Sequence, residues 1–292
     1  MSLKLFERGL SIVAFICALS LFPSLVRADV VFVSGDVSGV WSADSVIVTD
    51  SVRVPPGETL TIEPGVQVLF LDYWGHKFLI DQDAVLYAVG TGADTIKFLP
   101  FTAGNFHKGL DFINSSGDSR LEYCLIRHGF SSGVYCDNTD LTIRNCLIDS
   151  NQTTPGSVGA GGVTLVNNSD ALIENNTFRH NDATERGGAL YIVDSSPTVM
   201  KNLIEGNNAG TIDAYGGGIY IAGDSNPLIS GNIIKGNAVH PGSVINPGGG
   251  YGGGIFVGTY SSADISDNII VGNFGTVYAG THSYGGGIYS AA

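Results

Sequence analysis

Charge is scarce in this 292-residue chain, where Asp, Glu, Lys and Arg together make up 14 percent of the residues. Cations are scarcer still, 14 Lys and Arg against 27 Asp and Glu, for a net charge of −13. Such a surface repels phosphate backbones and anionic bilayers, so it disfavours nucleic-acid binding and favours solubility or divalent cations. Past Phe22 no apolar run approaches the roughly 20 residues that a membrane-spanning helix needs. The usual catalytic signatures are missing as well. There is no HExxH and no nucleophile elbow, the six histidines have no metal-ligand spacing, and the glycine run Gly248 to Gly254 lacks the lysine and helix of a phosphate loop.

What is present begins with an export signal. Lys4 and Arg8 precede an apolar run from Leu10 to Phe22, and Val26-Arg27-Ala28 supplies the small residues that a signal peptidase reads, so cleavage is expected before Asp29. The mature chain is then expected to be secreted, extracellular or on the outer cell surface, with Cys124, Cys136 and Cys146 as an odd set that cannot pair completely.

Glycine is abundant, 41 residues, and it is arranged. Counting from Gly162, Gly188, Gly218 and Gly254, an asparagine follows 14 residues later (Asn176, Asn202, Asn232, Asn268) and another 19 later (Asn181, Asn207, Asn237, Asn273). Only the segment from the second asparagine to the next glycine changes length. A fixed module joined by elastic loops marks a solenoid. The positions three before and two after the first asparagine are wholly apolar: Ile173, Val199, Ile229 and Ile265, then Phe178, Ile204, Ile234 and Ile270. Each apolar run is short, alternates with period two and stops at a turn residue, which indicates strands. The predicted fold is all-β: a parallel β-helix with three short strands per coil. Stacking places equivalent residues about 4.8 Å apart, so the asparagines should form hydrogen-bonded ladders at bends, where Asn tolerates left-handed backbone.

These residues carry a family resemblance. The chain resembles the right-handed parallel β-helix proteins of the pectin-lyase-like superfold, in a bacterial secreted, repeat-rich form. Gly187-Gly188-Ala189-Leu190 and Phe178-Arg179-His180-Asn181 resemble the GGA(I/L/V) and FxxN repeats of polymorphic outer-membrane proteins, and the other copies read GGGI and IxxN. The resemblance implies an adhesin-like binding or display role, or a polysaccharide lyase or hydrolase.

In order along the chain, residues 29–44 read as an irregular N-terminal cap anchored by Trp41, and residues 45–292 as the β-helix. Pro55-Pro56-Gly57 and Pro64-Gly65 turn the first coil, and a second coil spans roughly Lys77 to Leu99. Cys124 and Cys146 align with the first ladder position, where stacked thiols are the favoured reading and a disulfide the alternative. The sequence stops at Ala292 just after opening another coil, so the expectation is a portion cut mid-coil.

Three outward columns could carry chemistry. Arg127, Asp149, Arg179, Glu205 and Lys235 alternate in sign, as do Glu122, Arg144 and Glu174. Arg127, Asp149 and Arg179, with His128 and His180, could neutralise and deprotonate an acidic sugar, whereas alternation is what mutual compensation predicts. Asp118, Asp140, Asp170, Ser196, Asn226 and Ser262 could in part hold calcium or, as their interchange suggests, cap turns. Tyr220, Phe256 and Tyr289, with Tyr215, Tyr251 and Tyr284, form aromatic columns whose rings either stand exposed to stack on sugars or anchor a partner, or cover one another and their loops. The expectation is a monomeric scaffold that binds glycans or surface proteins, without cofactor or metal. An enzyme acting on acidic carbohydrate and a plain structural spacer are the alternatives.

Overall fold

The computed structural model describes residues 29–71, 75–154, 156–210, 213–240, 248–275 and 282–291. The expected signal segment lies outside them. All named pairings are parallel and join residues one coil apart, as the repeat predicts. Three faces result. Face 1 stacks nine strands, from Gly39–Trp41 through Thr142–Arg144 and Leu172–Glu174 to Asp264–Ser266. Face 2 runs from the first half of Val30–Asp36 through Cys124–Arg127, Leu147–Asp149 and Thr177–Arg179 to Ile269–Val271. Face 3 runs from the second half of Val30–Asp36 through Phe78–Ile80, Val163–Val166, Leu190–Val193 and Ile219–Ala222 to Ile288–Ser290. The long strand Ser45–Val54 turns a corner, pairing with face 2 at Val46 and with face 3 at Val52. Among the described residues no helix is long and apolar enough to cross a membrane.

Alternation puts one residue in two inside, where Leu60, Ile80, Phe98, Phe112, Ile143, Phe178, Ile204 and Ile234 are sealed from solvent. Each buried side chain of this size contributes roughly 1.5–3 kcal/mol. The asparagines form the expected ladders. Asn176 donates its backbone N–H and its Nδ2 to Oδ1 of Asn202, at 2.8 and 3.0 Å, and its Nδ2 also to the Ile143 carbonyl. The same set repeats from Asn202 to Asn232 to Asn268, and in the second ladder from Asn151 through Asn181, Asn207 and Asn237 to Asn273.

One detail of the ladder differs from expectation. Left-handed backbone falls on the residue before each ladder position, at Asn175, Lys201, Gly231, His180, Gly206 and Gly236, and not on the ladder asparagine. The preceding residue makes the bend, which leaves the asparagine free to aim its amide inward.

A third ladder was not legible in advance. Thr139 Oγ1 accepts from the Ser115 amide, and the Oγ atoms of Ser169, Ser195 and Ser225 accept in turn from the amides of Thr139, Ser169 and Ser195 at 3.1–3.2 Å. All five hydroxyl residues are buried.

The copies do not share one glycine register. Val163 pairs with Leu190 and then with Ile219, so Ala189 holds the place that Gly162 and Gly218 hold in their coils. The count from Gly188 to Asn202 agrees only because a second change cancels the first. The turn carrying Asp194 is one residue shorter than the turns through Asn167-Asn168 and Gly223-Asp224, as Ser169, Ser195 and Ser225 still stack. Gly188 itself is required, since a Cβ there would lie 2.2 Å from the Gly217 carbonyl oxygen. Residues 29–44 also differ from the expected irregular cap. Val30–Asp36 and Gly39–Trp41 pair with the next coil as a first rung, and buried Trp41 packs on Phe78 at 5.7 Å.

Candidate functional site

The first charge column is assembled as the alignment predicts. Arg127, Asp149 and Arg179 are partners on successive rungs, followed by Glu205 and Lys235. Arg127 Nε donates to Asp149 Oδ2 at 2.9 Å, with Nη2 also bonded, and Arg179 Nε stands 3.4 Å from Oδ1. His180 Nδ1 and the Ser150 hydroxyl meet the same Oδ1 at 3.3 and 3.2 Å. Burial would raise the pKa of Asp149. Arg127, by hydrogen bond and charge, and then His180 and Arg179 overcome that and hold the carboxyl below its ordinary value. Further along, Lys235 pairs with Glu205 at 3.0 Å, and in the neighbouring column Arg144 pairs with Glu174. Compensation between rungs is the arrangement found.

The Asp/Ser/Asn column turns out to bond backbone. Asp140 Oδ1 accepts from the Asp170 amide, Asp170 Oδ1 from the Ser196 amide, and Ser196 Oγ from the Asn226 amide. Among the described residues no three His, Cys, Asp or Glu side chains are grouped to hold a metal ion. Cys124, Cys136 and Cys146 are free and buried, and Cys146 Sγ lies 3.4 Å from the Cys124 amide in the ladder position. Burial, then the neighbouring Cys146, raises the Cys124 thiol, and burial raises the Cys136 thiol. A disulfide is therefore not what this position holds.

Of the two arrangements open to the aromatic columns, the rings adopt the one in which they cover one another. Tyr191, Tyr220, Phe256 and Tyr289 stack in sequence at 5.1, 5.2 and 5.7 Å, with planes within 16°. Tyr215, Tyr251 and Tyr284 form a second stack at 5.2 and 5.5 Å, set edge-on to the first. Rung spacing matches the separation of stacked rings, so the periodicity that aligns the side chains also closes their faces. Phe256 is buried, Tyr215, Tyr220, Tyr251 and Tyr289 are half-buried, and Tyr284 is exposed.

Two members of these columns went unrecognised because of the register at Gly188. With Ala189 in the glycine's place, Tyr191 pairs with Tyr220, and Arg186 bridges to Tyr215 at the head of the second stack. The Arg186 guanidinium lies over the Tyr215 and Tyr220 rings, 5.8 and 5.6 Å from their centroids. Burial raises the hydroxyls of Tyr191, Tyr215 and Tyr220, and Arg186 opposes that shift at each. A cleft of about 350 Å³ opens here, lined by Arg186, Tyr215, Tyr220, Phe256, Thr259 and Tyr260. Tyr260 is its outer wall, 90% exposed and left-handed at φ 68°. A second, shallower trough of about 510 Å³ runs beside His180, Glu205 and Lys235 over Gly206, Gly236 and Gly272.

The parallel stack, its ladders and its corner bends have a counterpart among known families. Residues 109–291 match the family model described as the right handed beta helix region. The chain belongs to that family. The match covers more than half of the sequence and fixes the hand of the coil. No curated protein and no solved structure matches the chain. A right-handed β-helix carries enzymes and adhesin-like proteins alike, so function rests on the sites of this member.

Proposed function

We propose that this β-helix is a binding and display scaffold, exported to the cell surface or beyond, that engages glycans or comparable surface material without turning them over. The cleft under Tyr260 carries the reading. A tyrosine ring is presented there almost wholly to solvent. Beside it stand half-buried phenols, an apolar floor and one cation, the mixture that a ring-shaped polar ligand requires. The stacked columns behind it form a rigid wall, and rigid aromatic anchors bind at low entropic cost.

The charge column supports the non-catalytic side of the reading. A general acid or base works best with a pKa near the operating pH, and the Asp149 carboxyl is moved away from that range and bonded by its neighbours. Neither a calcium ion nor another cofactor is needed for the proposed binding.

A glycan array probed with the full chain and with Tyr260→Ala tests this. Selective retention of a glycan class, weakened about tenfold or more by the substitution, is expected. Cleavage of an acidic polysaccharide that disappears in Arg179→Ala, with the fold intact, would replace the scaffold with an enzyme. Retention of no glycan at all would leave a spacer.

A further inference from the structure

The geometry points to a narrower assignment for the cleft: Arg186 selects a sugar ring that bears a carboxylate. The inference rests on the glycan reading above and adds the charge of the ligand. Arg186 occupies, in its coil, the column position that the next three coils give to Tyr215, Tyr251 and Tyr284. A guanidinium there is unnecessary for stacking, since those coils stack ring on ring. It is also poorly matched to the protein's own anions. Its one described ion pair is a loose 3.8 Å approach of Nη2 to Glu185, whose side chain is 54% exposed, and its Nε is buried without a hydrogen-bond partner.

Orientation is set by the rings. Contact with the Tyr215 and Tyr220 faces holds the planar group in place beside the cleft, so little rotamer freedom remains to be lost when a carboxylate binds. A carboxylate accepts two parallel N–H bonds from a guanidinium, which a neutral hydroxymethyl group in the same place cannot do. The apolar face of a pyranose would meet the exposed Tyr260 ring, and its hydroxyls the Thr259 and tyrosine hydroxyls. About 350 Å³ is at the small end for ligand pockets, which suits a terminal ring approaching end-on. The protein's acidic balance makes a single fixed cation the discriminating element, because the long-range field repels anions without it.

Calorimetric titration of the full chain at pH 7 with two disaccharides, alike except that one ends in glucuronic acid and the other in glucose, tests this. The acid should bind at least about tenfold tighter. Arg186→Met should abolish the preference, bringing the ratio of acid to neutral affinity to about one in a protein that still melts cooperatively, and Arg186→Lys should restore only part of it. Equal binding of both sugars by the unaltered protein would overturn the carboxylate assignment and leave the glycan reading standing. A preference for the acid that survives Arg186→Met would place the anion elsewhere and overturn it too. Binding of neither sugar would overturn the carboxylate assignment, and the glycan array decides the broader reading separately.

Discussion

The coils before Phe130 and those after Cys146 reach one fold by different means. In the front, large rings are set among the aliphatic core residues: Phe70, Phe78, Phe98 and Phe112 are all sealed inside, and Phe78 contacts both Trp41 and Phe98. In the rear, apart from Phe178, the sealed residues are aliphatic and smaller, Ile192, Ile204, Ile221, Ile234 and Ile255 among them, and two asparagine ladders run down the bends. Interdigitated rings fix register by shape, whereas near-identical isoleucine layers would slide at little cost. A ladder that leaves buried amides unpaired when displaced supplies the register that uniform layers lack. Regularity of sequence and polar bracing therefore occur together.

That contrast can be broken from either end. Phe112→Ala, in a front coil, should cost about 3–5 kcal/mol through the cavity it leaves, read as a shift in the urea midpoint. Asn207→Ala, in the rear, deletes no comparable volume but strands the buried Asn181 amide and the Phe178 carbonyl, so roughly 3 kcal/mol is expected, with the fastest new hydrogen exchange at Asn181. Equal exchange along the whole chain in that variant would show that the ladder does not set register.

The third test concerns His107, fully buried in the front against Phe70 at 4.3 Å. Its Nδ1 accepts from the Gly109 amide and its Nε2 donates to the Arg127 carbonyl, which defines a neutral ring. Burial lowers its pKa from 6.5 to about 4. The unfolded chain therefore takes up a proton at a higher pH than the folded one, and stability is lost as pH falls through that interval. About 2 kcal/mol should be gone by pH 5, seen as a falling urea midpoint. His107→Gln should flatten the slope. Asp149, Glu174 and Asp81 have lowered values, so their contribution is lost only at lower pH. Asp111 and Asp182, raised by burial, act in the opposite direction and remain in the His107 variant.

The sequence revealed the repeat because asparagine at a fixed offset has one efficient use in a stack, and the alternating charge column followed directly from it. Other features were hidden for physical reasons. Serine and threonine at the third bend are too common to announce a ladder, although Ser169, Ser195 and Ser225 each stand seven residues before a first-ladder asparagine. Val30 to Val33 alternates no polar residue and so did not read as a strand, yet it pairs with Ser45 to Val48. At Gly188, two one-residue changes cancelled in the count, which concealed Tyr191 and Arg186 as column members. The aromatic columns were legible but their exposure stayed open, since sequence gives spacing but not whether rings of that spacing turn toward water or toward each other.

The parallel pairing also has a mechanical meaning. Every rung is held only by the rungs above and below it, so tension applied at one end loads a single turn at a time while the others stay shut. Gly162, Gly188, Gly218 and Gly254 lie 26 to 36 residues apart, and a turn peeled off in that way would release roughly 90–120 Å of slack. A tether built like this yields in steps, lengthening severalfold before its last turn lets go.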